Sequence, residues 1–194
     1  EVSPFAGSGS TGSSNATGTS ASFNYPRDIT TDGTNLYVAD RSNHTIRKIV
    51  ISTGAVTTLA GSGTAGSTDT TGTAAKFYYP RGITTDGTNL YVADTHNHKI
   101  RKIVISTGAV TTFAGSGSYG STDGTGTSAK FYYPRGIITD GTNLYVADTN
   151  NHTIRKIVIS TGVVTTLAGS GTAGSTDATG TAAKFNYPRG ITTD

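Results

Sequence analysis

Three residue types in this chain could carry chemistry, and each returns at a fixed interval. His44, His98 and His152 are spaced 54 positions apart, and His96 adds a fourth imidazole. Imidazole is the commonest protein metal ligand, and a zinc site needs its nitrogens about 2.0–2.1 Å from one ion. Residues that recur once per structural unit are held about 10 Å apart when sheets pack face to face, too far to share a metal. No metal and no cofactor is therefore expected. The sets Asp40-Asn43-His44, Asp94-Asn97-His98 and Asp148-Asn151-His152 read instead as structural turns, whose side chains bond nearby backbone as Asx-type turns do.

Carboxylates are the second candidate. The chain holds eleven Asp and one Glu, Glu1. Paired carboxylates perform acid–base work when two different environments push their pKa values apart. Here Asp32, Asp40 and Asp69 each recur in register, so their surroundings repeat as well. They read as turn and capping residues, no catalytic residue is assigned, and the chain is expected to be non-enzymatic.

The third candidate is basic. Lys76-Phe77-Tyr78-Tyr79-Pro80-Arg81 recurs with one change at 130–135 and 184–189. Arg27, Arg81, Arg135 and Arg189, with Tyr79 and Tyr133 beside them, could bind a phosphate, an acidic or sulfated glycan, or RNA through charge and stacking. The competing structural reading pairs each arginine with a loop Asp and stacks it on a Tyr. The small net charge of +3 favours that reading and makes nucleic acid an unexpected partner. Asp28 replaces the glycine found at 82, 136 and 190, which would weaken an arginine ring locally. Asn15, Asn43 and Asn151 head Asn-x-Thr sequons, usable only in a host that glycosylates.

What must position these residues is a repeat. Units 26–79, 80–133 and 134–187 differ pairwise at only 7 to 10 of 54 positions, and the differences gather among turn residues. Residues 1–25 match the end of a further unit and 188–194 the start of another, giving about three and a half repeats. A fixed period of roughly 20–50 residues signals a solenoid, propeller or array. Composition agrees with an all-β chain. Charged residues make up 14 %, while Thr and Gly number 38 and 26; Thr favours strands and Gly tight turns. Cysteine is absent, so no disulfide framework exists, and no apolar run is long enough to span a membrane.

Each unit carries four strand-like runs, in the first one Asp28–Thr31, Asn35–Ala39, Thr45–Ile51 and Ala55–Ala60. Asp32-Gly33 is a strong hairpin signal. Leu36-Tyr37-Val38-Ala39 is apolar on both faces, which requires a sheet covered on both sides, as a propeller blade is by its neighbours. The expected core is Leu36, Val38, Ile49, Ile51 and their counterparts. Phe23, Phe77, Phe131 and Phe185 close each Gly/Ser/Thr-rich link and are expected to plug the gaps between blades.

The run Pro80–Ile103, PRGITTDGTNLYVADTHNHKIRKI, resembles the NHL repeat family: Pro-x-Gly before a short strand, Asp-Gly at the turn, an LYVAD strand, then Asn-His and an Ile-Arg-Lys-Ile strand. The resemblance covers the whole chain and implies four-stranded β-propeller blades. NHL propellers include sensors, RNA-binding domains, carbohydrate- and protein-binding modules and a few lyase- or lactonase-like enzymes, so the fold leaves function open. Strands at Val2–Ala6 and Pro188–Asp194 would bring the tally to fourteen, too few for the usual ring of about 4–8 blades. The chain is expected to be a window of a longer protein or to complete itself with copies of itself, as ring or filament. The favoured expectation is an extracellular or cell-surface bacterial scaffold that associates with its own kind; the alternative is a propeller that binds a glycan or another anionic or protein ligand.

Overall fold

A computed structural model describes residues 1–193. Three antiparallel sheets follow one another along the chain. The first blade is β1 (Pro26–Thr31), β2 (Asn35–Asp40), β3 (Thr45–Val50) and β4 (Val56–Ala60), and the second is β5 (Pro80–Thr85), β6 (Asn89–Asp94), β7 (Lys99–Val104) and β8 (Val110–Ala114). The third blade is β10 (Pro134–Thr139), β11 (Asn143–Asp148), β12 (Thr153–Val158) and β13 (Val163–Ala168), and the two-residue β9 (Gly124–Thr125) pairs with the edge of β13.

The turn chemistry that sets this register is local. In the second blade the Asp86 carboxylate accepts the Thr88 and Asn89 amides at 2.9 and 2.7 Å and the Tyr91 hydroxyl at 3.0 Å. Gly87 takes a positive φ of 87° in the same turn, a conformation that costs glycine nothing. Asp32 and Asp140 repeat the arrangement, in agreement with their expected turn role.

The long Gly/Ser/Thr links are ordered. Three of them cross to the outer strand of the next blade: Thr17 bridges Ala55, Thr71 bridges Ala109, the Val110 amide bonds the Thr70 carbonyl, and β9 pairs with β13. The links thereby pair the edges of strands that would otherwise invite association. Phe77 and Phe131 are fully buried between neighbouring blades, as expected.

Three expectations are corrected. Residues 2–6 form no strand and 188–193 join no ladder, Asp194 lying outside the described residues, so twelve blade strands remain of the expected fourteen, with the two-residue β9 added. Each end segment lacks the other three strands of its own unit, so it has no partner with which to form a ladder. Ile51 is exposed and Ile105 only partly buried, while Ile46 and Ile100 are fully buried: the strand ends at Val50, one residue before the expected core position. Strand one begins at Pro26 instead of Asp28, with a bulge between Pro26 and Ile29.

Blade-on-blade burial supplies the core. Ile83 and Ile137 are 3 % exposed, each covered by a neighbour, whereas Ile29 on the free face of the first blade is 53 % exposed. The same residue in the same local structure should therefore give different stability costs. Ile83→Ala should destabilise by about 2–5 kcal/mol and Ile29→Ala by less than about 1 kcal/mol. Chemical denaturation measures both, and equal losses would contradict this packing.

Candidate functional site

The first strands of the blades lie side by side, with β5 between β1 and β10. The contact is close enough that a Cβ on Gly82 would stand 2.1 Å from the Arg135 carbonyl, and one on Gly136 2.3 Å from that of Arg189. Glycine is required there by the neighbouring backbone. This approach brings Arg81, Arg135 and Arg189, each followed by a glycine, together with Arg27 and Asp28 of the first blade into one funnel of about 310 Å³.

Arg81 and Arg135 are half-buried, and among the described residues neither forms an ion pair. Their Nε atoms are buried without a hydrogen-bond partner. Burial, followed by the charges of Arg135, Arg41, Arg27 and Arg189, pushes Arg81 down to about 10. Arg135 is lowered by burial and by Arg189, Arg27 and Arg41. The expected pairing of these arginines with loop aspartates is not found. Asp69 and Asp123 are already engaged elsewhere.

They serve a different arginine, one that sequence reasoning passed over. Arg47, Arg101 and Arg155 are fully buried. Arg101 Nη1 donates to Asp94 Oδ2 at 2.8 Å and to the Lys76 carbonyl at 2.9 Å, while Nη2 donates to the Thr68 carbonyl and to Asp69. Its guanidinium lies 5.1 Å from the Phe77 ring centroid. Arg155 repeats this with Asp148 and Asp123; Arg47 uses Asp40, with Asn15 in place of the second acid. The signal in the sequence was an invariant Arg among the apolar residues of Ile-Arg-Lys-Ile, matched by an invariant Asp seven positions earlier.

Asp40, Asp94 and Asp148 therefore do more than form turns. Asp94 accepts the Tyr78 amide, the Asn97 side chain and Arg101, and Asn97 also donates to the Gly66 carbonyl at 2.6 Å. Burial pushes the Asp94 and Asp148 carboxyls up, Asp148 to about 6, against the donors that favour their charged form. Every one of those donors is aimed at the carboxylate, so the geometry fits the ionised acid. Asn43 and Asn151 bond Gly12 and Gly120 in the same way, so both sequon amides are committed to internal contacts.

The histidines also act between blades. His44, His98 and His152 adopt left-handed backbone, and the Nδ1 of each accepts the amide of the tyrosine that ends its unit, Tyr79, Tyr133 and Tyr187, at 3.1 Å. The three tyrosines, themselves at φ of 51°, stand one Pro before an axial arginine. The expected local turn is present, the His44 amide bonding the Arg41 carbonyl, and the ring adds a bond that reaches 35 residues along the chain. Among the described residues no cluster of three or more metal-ligating side chains occurs, and no helix is long and apolar enough to cross a membrane.

Acid should loosen this bond, since a protonated Nδ1 cannot accept it. Burial holds His98 below its ordinary value. A folded-state value below that of the unfolded chain means that the His98 contribution is complete above about 6.5 and is lost as pH falls. The stability gap between the parent and His98→Asn should therefore narrow from pH 7.5 to pH 5 in urea titrations. A gap unchanged with pH would show that the Nδ1 contact is not linked to protonation.

The NHL repeat pattern matches residues 23–49 and 77–103. NHL repeat-containing protein 2 of Homo sapiens is 38 % identical over 144 residues, covering 68 % of this chain and 20 % of that protein. Protein SUPPRESSOR OF QUENCHING 1, chloroplastic, of Arabidopsis thaliana is 36 % identical over 137 residues, covering 65 % of this chain and 13 % of that protein. The chain spans about a fifth or less of the length of the curated relatives it matches. Among solved structures, an auxiliary nutrient binding protein from Bacteroides ovatus has a TM-score of 0.68 at 22 % identity, covering 89 % of this chain and 44 % of that one. The counterpart from Bacteroides thetaiotaomicron has a TM-score of 0.64 at 23 % identity, over 81 % and 39 %. At these identities the likeness is one of fold.

Proposed function

We propose, for a chain that belongs to the NHL repeat family, a non-enzymatic binding role in which the axial arginines take an anionic ligand. The single observation behind this reading is that Arg81 and Arg135 are half-buried, crowded by like charge and without a carboxylate partner among the described residues. Holding cations together away from water raises the energy of the free protein. A ligand that brings negative charge and acceptor oxygens relieves it, and guanidinium groups make charge-assisted, often bidentate bonds to such oxygens. Each blade repeats the same acids, and the contrasting pair Asp94 and Asp69 is committed to the buried Arg101 rather than to the funnel, which supports binding over catalysis. An extracellular setting, suggested by the low charged fraction and the absence of cysteine, belongs to the same proposal.

Calorimetric titration with inorganic phosphate and with uronate-bearing and sulfated oligosaccharides tests it. At least one should bind, and Arg81→Ala and Arg135→Ala should each weaken it about tenfold, the worth of a charge-assisted contact. Binding that survives the double substitution would overturn the reading.

A second reading, association with further blades of the same kind, is favoured by the free face of the first blade. Phe5 and Ile29 are exposed there, and Leu36, Val38 and Ile49 lie beside them. The equivalent surface of the second blade is the one that the first blade covers. Sedimentation velocity should show mass rising with concentration, and Ile29→Asp should abolish the rise. A parent chain that stays a monomer throughout the range would rule it out.

A further inference from the structure

The positions at which the repeats differ are scattered along the sequence, yet two of them meet in space. Arg41 stands where the other units have Thr95 and Thr149, and His96 stands where they have Ser42 and Asn150. Thr95 and Thr149 are buried and donate their hydroxyls to the Pro134 and Pro188 carbonyls at 2.8 and 2.7 Å. Arg41 instead lays its guanidinium over Tyr79, 4.3 Å from the ring centroid. Its Nη1 reaches Ser42 Oγ at 3.3 Å, and its Nε is buried with no partner among the described residues.

From the second blade, the His96 ring packs against Tyr78, Tyr79 and Tyr133 with centroid distances of 4.9, 4.8 and 4.9 Å. Tyr79 is thus touched by Arg41 and by His96, one from each blade. Tyr79 and Tyr133 each stand one proline before an axial arginine, Arg81 and Arg135, so the pair lies beside the funnel. Burial, followed by the charges of Arg41, Arg81, His98 and Arg135, pushes His96 down to about 4. The imidazole is therefore neutral at pH 7 and can offer an N–H donor without adding to the repulsion. Arg41 in turn lowers both Arg81 and Arg135.

We propose that Arg41 and His96 complete, with Arg81 and Arg135, an asymmetric subsite for a dianionic phosphate group at the seam between the first two blades. The inference rests on the reading of the axial arginines as an anion site and adds its ligand chemistry. Arg41 lies on Tyr79 and His96 on both Tyr79 and Tyr133, the residues two positions before Arg81 and Arg135, and the Nε of Arg41, Arg81 and Arg135 has no partner among the described residues. A carboxylate brings one charge and two oxygens. A phosphate monoester brings about −1.5 to −2 charge and three acceptor oxygens, which matches several donors converging from different sides. The charge is concentrated at one point and the net charge is only +3, unlike the basic track along which a polynucleotide backbone is neutralised.

The repeat itself supplies the control. Arg41→Thr and His96→Asn install residues that the third blade already carries at those places, and Arg41→Thr allows the hydroxyl-to-carbonyl bond seen from Thr95 and Thr149. Calorimetry at pH 7.5 on the full chain would use inorganic phosphate, a hexose phosphate and acetate, with thermal unfolding to confirm the fold. Phosphate or its ester should bind more tightly than acetate, and whichever of the two binds more tightly identifies free ion or ester as the source. Each substitution should cost about tenfold in phosphate affinity and leave acetate unchanged. If Arg81→Ala abolishes phosphate binding while Arg41→Thr and His96→Asn do not alter it, the axial reading stands and this subsite does not exist. If neither phosphate nor acetate nor any oligosaccharide binds the parent chain, the axial reading fails, and this one with it. Tighter binding of an unphosphorylated single-stranded hexanucleotide than of phosphate would assign the surface to nucleic acid and overturn the proposal.

Discussion

The buried ion pair between the third and second strands of each blade is the constraint on which the rest depends. Arg101 is fully buried, and it satisfies itself by tying Asp94 of its own blade to two points of the preceding link, Thr68-Asp69 and the Lys76 carbonyl. Removing one partner from such a pair leaves a charge uncompensated in a dry interior, at a cost of about 3–5 kcal/mol. Correct folding of the link is therefore coupled to correct folding of the blade that follows it. A tract of Gly, Ser and Thr with little apolar content could not order itself, because it buries too little to offset its conformational entropy.

The same knot positions the axial residues. Asp94 fixes the Tyr78 amide, His44 of the preceding blade fixes the Tyr79 amide, and Pro80 follows at the start of β5. The chain enters the innermost strand with its direction set from two blades at once, and Gly82 lets that strand press against Arg135. Arg81 is carried to the axis as a consequence. In the first blade Asp28 replaces that glycine, and its carboxylate accepts the Ile83 amide at 2.9 Å across the seam. Where the arginines lie is thus a by-product of packing; that they lie there without acidic partners is what gives them a chemical use.

Repetition and divergence carry different information. Residues common to every unit, Asp94 and Arg101 among them, are those that a blade needs in order to exist. Arg41 and His96 break the pattern, and both contact Tyr79 at a single seam. A chain of identical blades would present the same surface at every seam. These two substitutions give one seam a charge and a ring that the others lack.

Much was legible before any coordinates. The Asp-Gly turns, the four runs per unit and the aromatic plugs follow from local rules of backbone geometry and side-chain alternation, and three near-identical copies let each rule be read three times. The arginines at 27, 81, 135 and 189 were also visible as a recurring set. Their lack of acidic partners was not, because pairing depends on which acid reaches which base. Asp69 and Asp123 lie far along the chain from Arg101 and Arg155, and only the path of the link brings them together. The convergence of Arg41 and His96 was equally hidden, since they belong to different blades. Sequence alone determined the blade, because a blade is made of near neighbours. The tertiary structure decided which charges are neutralised and which remain at the axis, because charges interact through distances that the order of residues does not contain.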